Sequence, residues 1–330
     1  MDHPLRRLTH DDYTVACICP MGVELAPVEA MLDEIHENLP TSRSTNSYTL
    51  GRIGAHNVVI AVMPEIGNNS AATVATQLLN DFTSIKLSLL VGIGGGIPDD
   101  DENDIRLGDV VVSKPTKTFG GVVQFDRGKI HPNGQFEQTG TLNKPPKVLM
   151  ANVQRLEARH RREGNQISKY LSEMLKKFPN MEEEYLYPGI EHDQLFEATY
   201  HHEGGKTCRR CNQSKVVERA PRKNLAPRIH YGTIGSANEV IKDSATRDKL
   251  RKDLGILCVE MEAAGLIDEF SCLVIRGICD YADSHKNKIW QPYAAASAAA
   301  YAKELLSIIP AQDIVATMKA VDALQGTPDL

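Results

Sequence analysis

Between residues 13 and 120 short apolar runs alternate with stretches whose apolar residues recur every three or four positions. "YTVACIC" (13–19), "NVVIAVMP" (57–64), "SLLVGIGGGI" (88–97) and "GDVVVSKP" (108–115) predict strands, while "ELAPVEAMLDEIHENL" (24–39) and "NNSAATVATQLLNDF" (68–82) predict helices. The alternation resumes with strands "RIHYGTIGS" (228–236), "ILCVE" (256–260) and "CLVIRGICD" (272–280), and with helices "TRDKLRKDLG" (246–255) and the alanine-rich "YAAASAAAYAKELLSII" (293–309). A parallel or mixed central sheet covered by helices follows, an α/β fold. Residues of about 126–228 break the pattern: a charged helical stretch (155–189) is followed by a polar, loop-rich one (191–227). This reads as an insertion within one domain spanning 1–310, with 311–330 as a C-terminal tail or linker.

Composition narrows the function. Of 330 residues, 37 are basic and 43 acidic, a formal charge of −6 that argues against a nucleic-acid surface. No segment has the apolar length of a membrane span or the shape of a signal peptide, and the seven cysteines are an odd number lying mostly in strand-like runs. A cytoplasmic protein with a small-molecule ligand is expected. "VGIGGGIPDDD" (91–101) follows a strand, yet a dinucleotide turn from Gly92 would require glycine where Ile97 stands, and no helix follows. "YHHEGGKT" (200–207) lacks the first glycine of a phosphate-cradling loop. Its neighbour Cys208-x-x-Cys211, with His192, His201 and His202 nearby, is half of a zinc knuckle and leaves open either a structural metal or a loop of reduced cysteines. No catalytic metal and no cofactor are assigned.

Three segments in order, "ICPMGVELAPVEAML" (18–32), "VGIGGGI" (91–97) and "VEMEAAG…VIRGICDYAD" (259–283), resemble the purine nucleoside phosphorylase and nucleosidase superfamily, most of all its 5′-methylthioadenosine/S-adenosylhomocysteine nucleosidases. The insertion and the "HKNKIWQPYAAASAAAYAKELL" ending look like fungal members that open larger immune-receptor-like proteins. The resemblance implies a three-layer α/β/α phosphorylase-like fold, N-glycosidic chemistry and a dimer or hexamer, of which a homodimer is expected here. Such chemistry passes through a cationic ribosyl group and leaves an electron-rich base, so it needs an acid for the base and negative charge beside the sugar. The resemblance implies Asp280 as the acid and Glu24 as the carboxylate that deprotonates water. It also implies Glu262 on the ribose hydroxyls, Met261 against the sugar face and Glu260 closing the strand-to-helix junction. Arg276 becomes an orienting cation. Asn238 and Val240 fall in the base-pocket segment, where valine replaces an aromatic stacking residue, and Gly94 and Gly95 offer close backbone approach. Each carboxylate has a blander reading as a complement to a helix N-terminus.

Phosphorylases of the superfamily bind phosphate through arginine and a hydroxyl at positions that here read Leu90 and Ile93, so water is the expected nucleophile. Lys114, Lys117, Arg127 and Lys129, then Lys206, Arg209, Arg210, Arg222 and Lys223, form a basic set that fits a phosphorylated substrate, or simply a solvated charged face. The expectation is a purine nucleotide N-glycosidase, ATP first, serving as an immune effector domain. The alternatives are a methylthioadenosine or adenosine nucleosidase, a phosphorylase, and a catalytically inactive purine sensor within a larger receptor.

Overall fold

The computed structural model describes residues 4–41, 45–99, 103–116, 118–132, 136–267 and 270–325. Lys117, one of the expected phosphate cations, lies outside them. The strands are β1 Val15–Cys19, β2 Glu34–Ile35, β3 Ser47–Ile53, β4 His56–Val62, β5 Leu87–Gly96, β6 Val110–Ser113, β7 Val122–Gln124, β8 Gly128–Ile130, β9 Phe136–Gln138, β10 Ile229–Ser236, β11 Ile256–Glu260 and β12 Leu273–Asp280. The helices are α1 Gly22–Ala30, α2 Asn68–Asp81, α3 Lys147–Glu163, α4 Ile167–Lys177, α5 Glu182–Tyr185, α6 Ser244–Leu254, α7 Ala263–Ile267, α8 Gln291–Ile308, α9 Ala311–Val315 and α10 Ala320–Gln325. Ten strands form one mixed sheet in the order β11-β10-β6-β12-β5-β1-β4-β3-β2, with β7 on β10. The end of β5 bends across to pair antiparallel with β11, Val259 opposite Gly95, which closes half of the sheet into a barrel.

Alternate residues of each central strand enter opposite cores. Val15, Cys17 and Cys19 of β1 pack with α1 and α8, whereas Ala16 and Ile18 pack with α2 and α7. The result is three layers, as the pattern of strands and helices implies. Leu149, Val153 and Leu156 of α3 and Ile167, Leu171 and Met174 of α4 join the α8 side, so the helical part of the insertion shares the main core. All seven cysteines are free. No helix among the described residues is long and apolar enough to cross a membrane.

Two local readings are corrected. The helix expected over 24–39 ends at Ala30, because Glu34 and Ile35 pair with Arg52 and Gly51 of β3 instead. Gly51 permits the approach: a Cβ there would stand 2.5 Å from the Glu34 carbonyl. Strand β3 itself was not anticipated, since "SYTLGRI" mixes polar and small residues in a run with little apolar character.

Candidate active site

The carboxyl ends of β1, β5 and β12 lie together because these strands are parallel neighbours, and such an edge is where open α/β sheets hold ligands. In register, Arg276 of β12 stands beside Gly92 and Asp280 beside Gly95. Any side chain at Gly92 would collide with the Arg276 guanidinium and the Glu24 carboxylate, so this glycine, rather than Gly94 or Gly95, provides the space in which they meet. Gly94 faces the Val259 carbonyl, and a Cβ on Gly95 would stand 2.9 Å from Asp280 Oδ1.

Three carboxylates surround Arg276. Its Nη2 donates to Glu262 Oε2 at 3.0 Å and, by a short contact, to Glu260; its Nη1 lies 3.9 Å from Glu24 Oε1 and donates to the Ile93 carbonyl at 3.3 Å. Glu260 Oε2 also accepts the backbone N–H of Glu262 (3.1 Å) and Ala263 (2.9 Å), which caps the start of α7 and fixes the junction. Glu24, in the first turn of α1, accepts the Ile93 N–H at 2.7 Å through Oε1, and its Oε2 is buried with no hydrogen-bond partner. Met261 is half-buried between Glu260 and Glu262.

One guanidinium cannot neutralise three carboxylates in a site from which solvent is nearly excluded, Glu24 and Arg276 each being 1% exposed. Burial, partly opposed by Arg276 and reinforced by Glu262, pushes the Glu24 carboxyl up to about 8. Burial likewise raises Glu262, against the pull of Arg276. Arg276 is held firmly protonated by Glu260, Glu262 and Glu24, which outweigh its own desolvation. Glu24 therefore keeps its proton in the folded chain from about pH 4.5 up to about 8, where the unfolded chain has lost it. The stability this gives is complete below the unfolded value and is lost as pH rises through the folded one. In thermal unfolding, Glu24→Gln, which mimics the protonated carboxyl, should gain on the natural chain as pH rises through that window and hold a constant lead above it. A lead independent of pH would show that Glu24 ionises normally.

Asp280, at the end of β12, accepts the Cys279 thiol (3.2 Å) and the Ala282 N–H (2.9 Å), and Lys286 Nζ lies 3.2 Å from its Oδ2. Burial pushes the Cys279 thiol up, so it stays a neutral donor. Ala282, with φ of 52°, is the only non-glycine residue of positive φ among the described residues. That costly turn folds the chain back so that Lys286 reaches Asp280. Lys286 was not singled out from the sequence, because nothing in "DYADSHK" announces the reversal. Asp280 and Lys286 line a cavity of about 190 Å³ together with Thr207, Arg209 and His285.

The expected base-pocket residues are placed differently from the carboxylates. Asn238 is exposed, and its Oδ1 accepts the Asn68 N–H at 3.0 Å, capping α2; Val240 is exposed on the surface. Asn68, which sequence reasoning missed, is buried and its Oδ1 accepts the Gly265 N–H at 2.9 Å, tying α2 to α7. Two of the expected phosphate cations are engaged elsewhere. Arg222 grips Asp109 with two bonds of 2.7 Å, and Lys114 pairs with Glu157 at 2.8 Å. Arg209 is exposed at the cavity, and Lys129, Lys206, Arg210 and Lys223 are exposed as well.

Residues 14–309 match the phosphorylase superfamily. The chain belongs to this superfamily. A nucleotide-binding leucine-rich repeat (NLR)-like protein of Hyaloscypha variabilis is 46% identical over 315 residues, which cover 94% of this chain and 31% of that protein. A 5′-methylthioadenosine/S-adenosylhomocysteine nucleosidase of Mycobacterium bovis is 32% identical over 89 residues, covering 26% of this chain and 35% of that enzyme. The chain thus spans about a third of the length of these superfamily relatives. Among solved structures, the Neisseria meningitidis 5′-methylthioadenosine/S-adenosylhomocysteine nucleosidase with methylthio-immucillin-A superposes with a TM-score of 0.56 at 18% identity, covering 89% of this chain and 98% of that one. The futalosine hydrolase of Helicobacter pylori gives 0.56 at 16% identity, covering 90% and 99%. These two structural likenesses establish the fold.

Proposed function

We propose that this phosphorylase-superfamily chain hydrolyses the ribose–purine bond of a purine nucleotide, ATP first, to adenine and ribose 5′-triphosphate. The observation that carries the reaction is the buried assembly of Glu24, Glu260 and Glu262 around Arg276, one strand end from Asp280. As the N-glycosidic bond breaks, its electron pair leaves with the purine, and Asp280 supplies the proton that neutralises the departing base at N7. The carboxylate cluster stabilises the positive charge left on the ribosyl group, where a dry site strengthens every interaction. Water adds to the anomeric carbon and gives a proton to the ionised form of Glu24, which is the minor form at neutral pH and the major one above about 8, so turnover should rise with pH toward that value. Glu24 then passes its proton to solvent, and Asp280 regains one.

Water rather than phosphate is supported by Leu90 and Ile93, both buried and apolar; Ile93 contributes only its backbone, to Glu24 and Arg276. A phosphorylated substrate is supported by Arg209 and Lys286 on the cavity that Asp280 lines, without help from Arg222 or Lys114. The kinship of 94% of this chain with 31% of the Hyaloscypha variabilis NLR-like protein supports a role as the enzymatic module of a larger receptor. Separate incubations with ATP, AMP, adenosine and methylthioadenosine test the substrate: adenine should form fastest from ATP. Equal or faster release from the uncharged nucleosides would return the chain to ordinary nucleosidase activity.

A further inference from the structure

Outside the carboxylate cluster, four soft or imidazole donors gather where the insertion meets the turn after Asp280. We propose that His202, Cys208, Cys211 and His285 bind one zinc ion, which clips the insertion to the segment carrying Lys286. Ligand atoms of His202, Cys211 and His285 all lie within 4.8 Å of one another. Cys211 Sγ is 3.2 Å and Cys208 Sγ 3.9 Å from His202 Nδ1. Ligand bonds of about 2.0–2.3 Å place tetrahedral donors about 3.3–3.8 Å apart, so these separations suit a zinc ion of the Cys2His2 type. Cys208 completes the set by a side-chain rotation, its Sγ now donating to the His285 carbonyl at 3.6 Å.

The histidines point to a ligand independently of the cysteine spacing. His285 is 6% exposed, yet neither ring nitrogen has a hydrogen-bond partner; only Asp283 Oδ1 comes as near as 3.7 Å to Nδ1. A buried imidazole with both nitrogens idle is costly, and coordination would satisfy it. Its ring is held in place by stacking on Phe196, with centroids 4.0 Å apart. In His202, Nε2 faces the Gly205 carbonyl at 3.2 Å and must donate to it, which leaves the Nδ1 lone pair for a metal, the usual outer-sphere arrangement of a zinc histidine. Two thiolates and two neutral imidazoles select zinc over magnesium or calcium. The sequence suggested His192 and His201 as equal partners of the cysteines. His285 could not be suspected, standing 77 positions beyond Cys208.

The clip bears on the candidate active site through two contacts. The His202 N–H donates to Ser284 Oγ at 3.0 Å, and His285 immediately precedes Lys286, the partner of Asp280. Metal analysis of the full chain purified under reducing conditions should give close to one zinc per chain. Replacement by cobalt(II) should give thiolate-to-cobalt charge-transfer absorption and the intense visible bands of a tetrahedral site. Cys211→Ser and His285→Asn should each lose the metal, and His192→Gln should keep it. Sub-stoichiometric zinc together with no cobalt spectrum on the reduced natural chain would overturn the proposal, whether or not the variants fold. A Cys208–Cys211 disulfide in the freshly isolated protein would overturn it too.

Discussion

Replacing Asp280 with asparagine should lower turnover by about 100- to 10,000-fold, the usual worth of a positioned general acid, and leave purine binding within a few-fold of the natural chain. Asparagine keeps one oxygen for the Ala282 N–H, so the strained turn should survive, while its amide nitrogen takes the place of the Oδ2 that accepts the Cys279 thiol. What is lost is the proton for the leaving base and the carboxyl oxygen that faces Lys286. Turnover and adenine affinity, measured side by side, separate the acid from a merely structural carboxylate. Unchanged turnover would remove Asp280 from the reaction. Loss of binding and of thermal stability together would make it a structural anchor of the turn.

The largest expected effect on stability comes from Arg276→Met. Methionine fills part of the volume but leaves Glu24, Glu260 and Glu262 buried without a cation, and breaking a buried ion pair in this way costs about 3–5 kcal/mol. The deficit should shrink as pH falls, because the stranded carboxylates then take up protons that an unfolded chain binds less tightly. Arg276→Lys should recover only part of the loss, since one ammonium cannot reproduce the two-pronged contact of Nη1 and Nη2. Chemical denaturation at two pH values reads both effects. A melting midpoint equal to that of the natural chain would mean that the carboxylates are already protonated and that the cluster carries little charge.

Elements whose whole surface is buried were the most legible in the sequence. Strands β1, β5 and β12 are buried throughout and mostly apolar because both faces meet helices, and the alanine run of α8 allows it to lie close against β12. Glycine marks the closest approach, since Gly277 has no room for a side chain beside Ala294. Strand β3 and the early end of α1 escaped because they are set by pairing partners rather than by their own periodicity. The carboxylates are named through the superfamily resemblance that "VEMEA" and the aspartate ending β12 carry, and neighbouring strands bring these short motifs to a common edge. Side chains acting across long stretches of sequence could not be named. Arg222 reaches Asp109 and His202 reaches Ser284 only through the folded insertion, and no local pattern distinguishes these from solvated residues.

The oxygen that enters the sugar decides the reaction most directly. The natural chain is incubated with ATP in water enriched in oxygen-18, with and without inorganic phosphate, and the sugar product is examined by mass spectrometry. Hydrolysis through Glu24 and Asp280 should yield free adenine and a ribose triphosphate carrying one labelled oxygen, with no sugar 1-phosphate. A sugar 1-phosphate that forms only with added phosphate would make the protein a phosphorylase. Intact ATP in both conditions, with no release from adenosine or methylthioadenosine, would contradict catalysis and leave a binding domain.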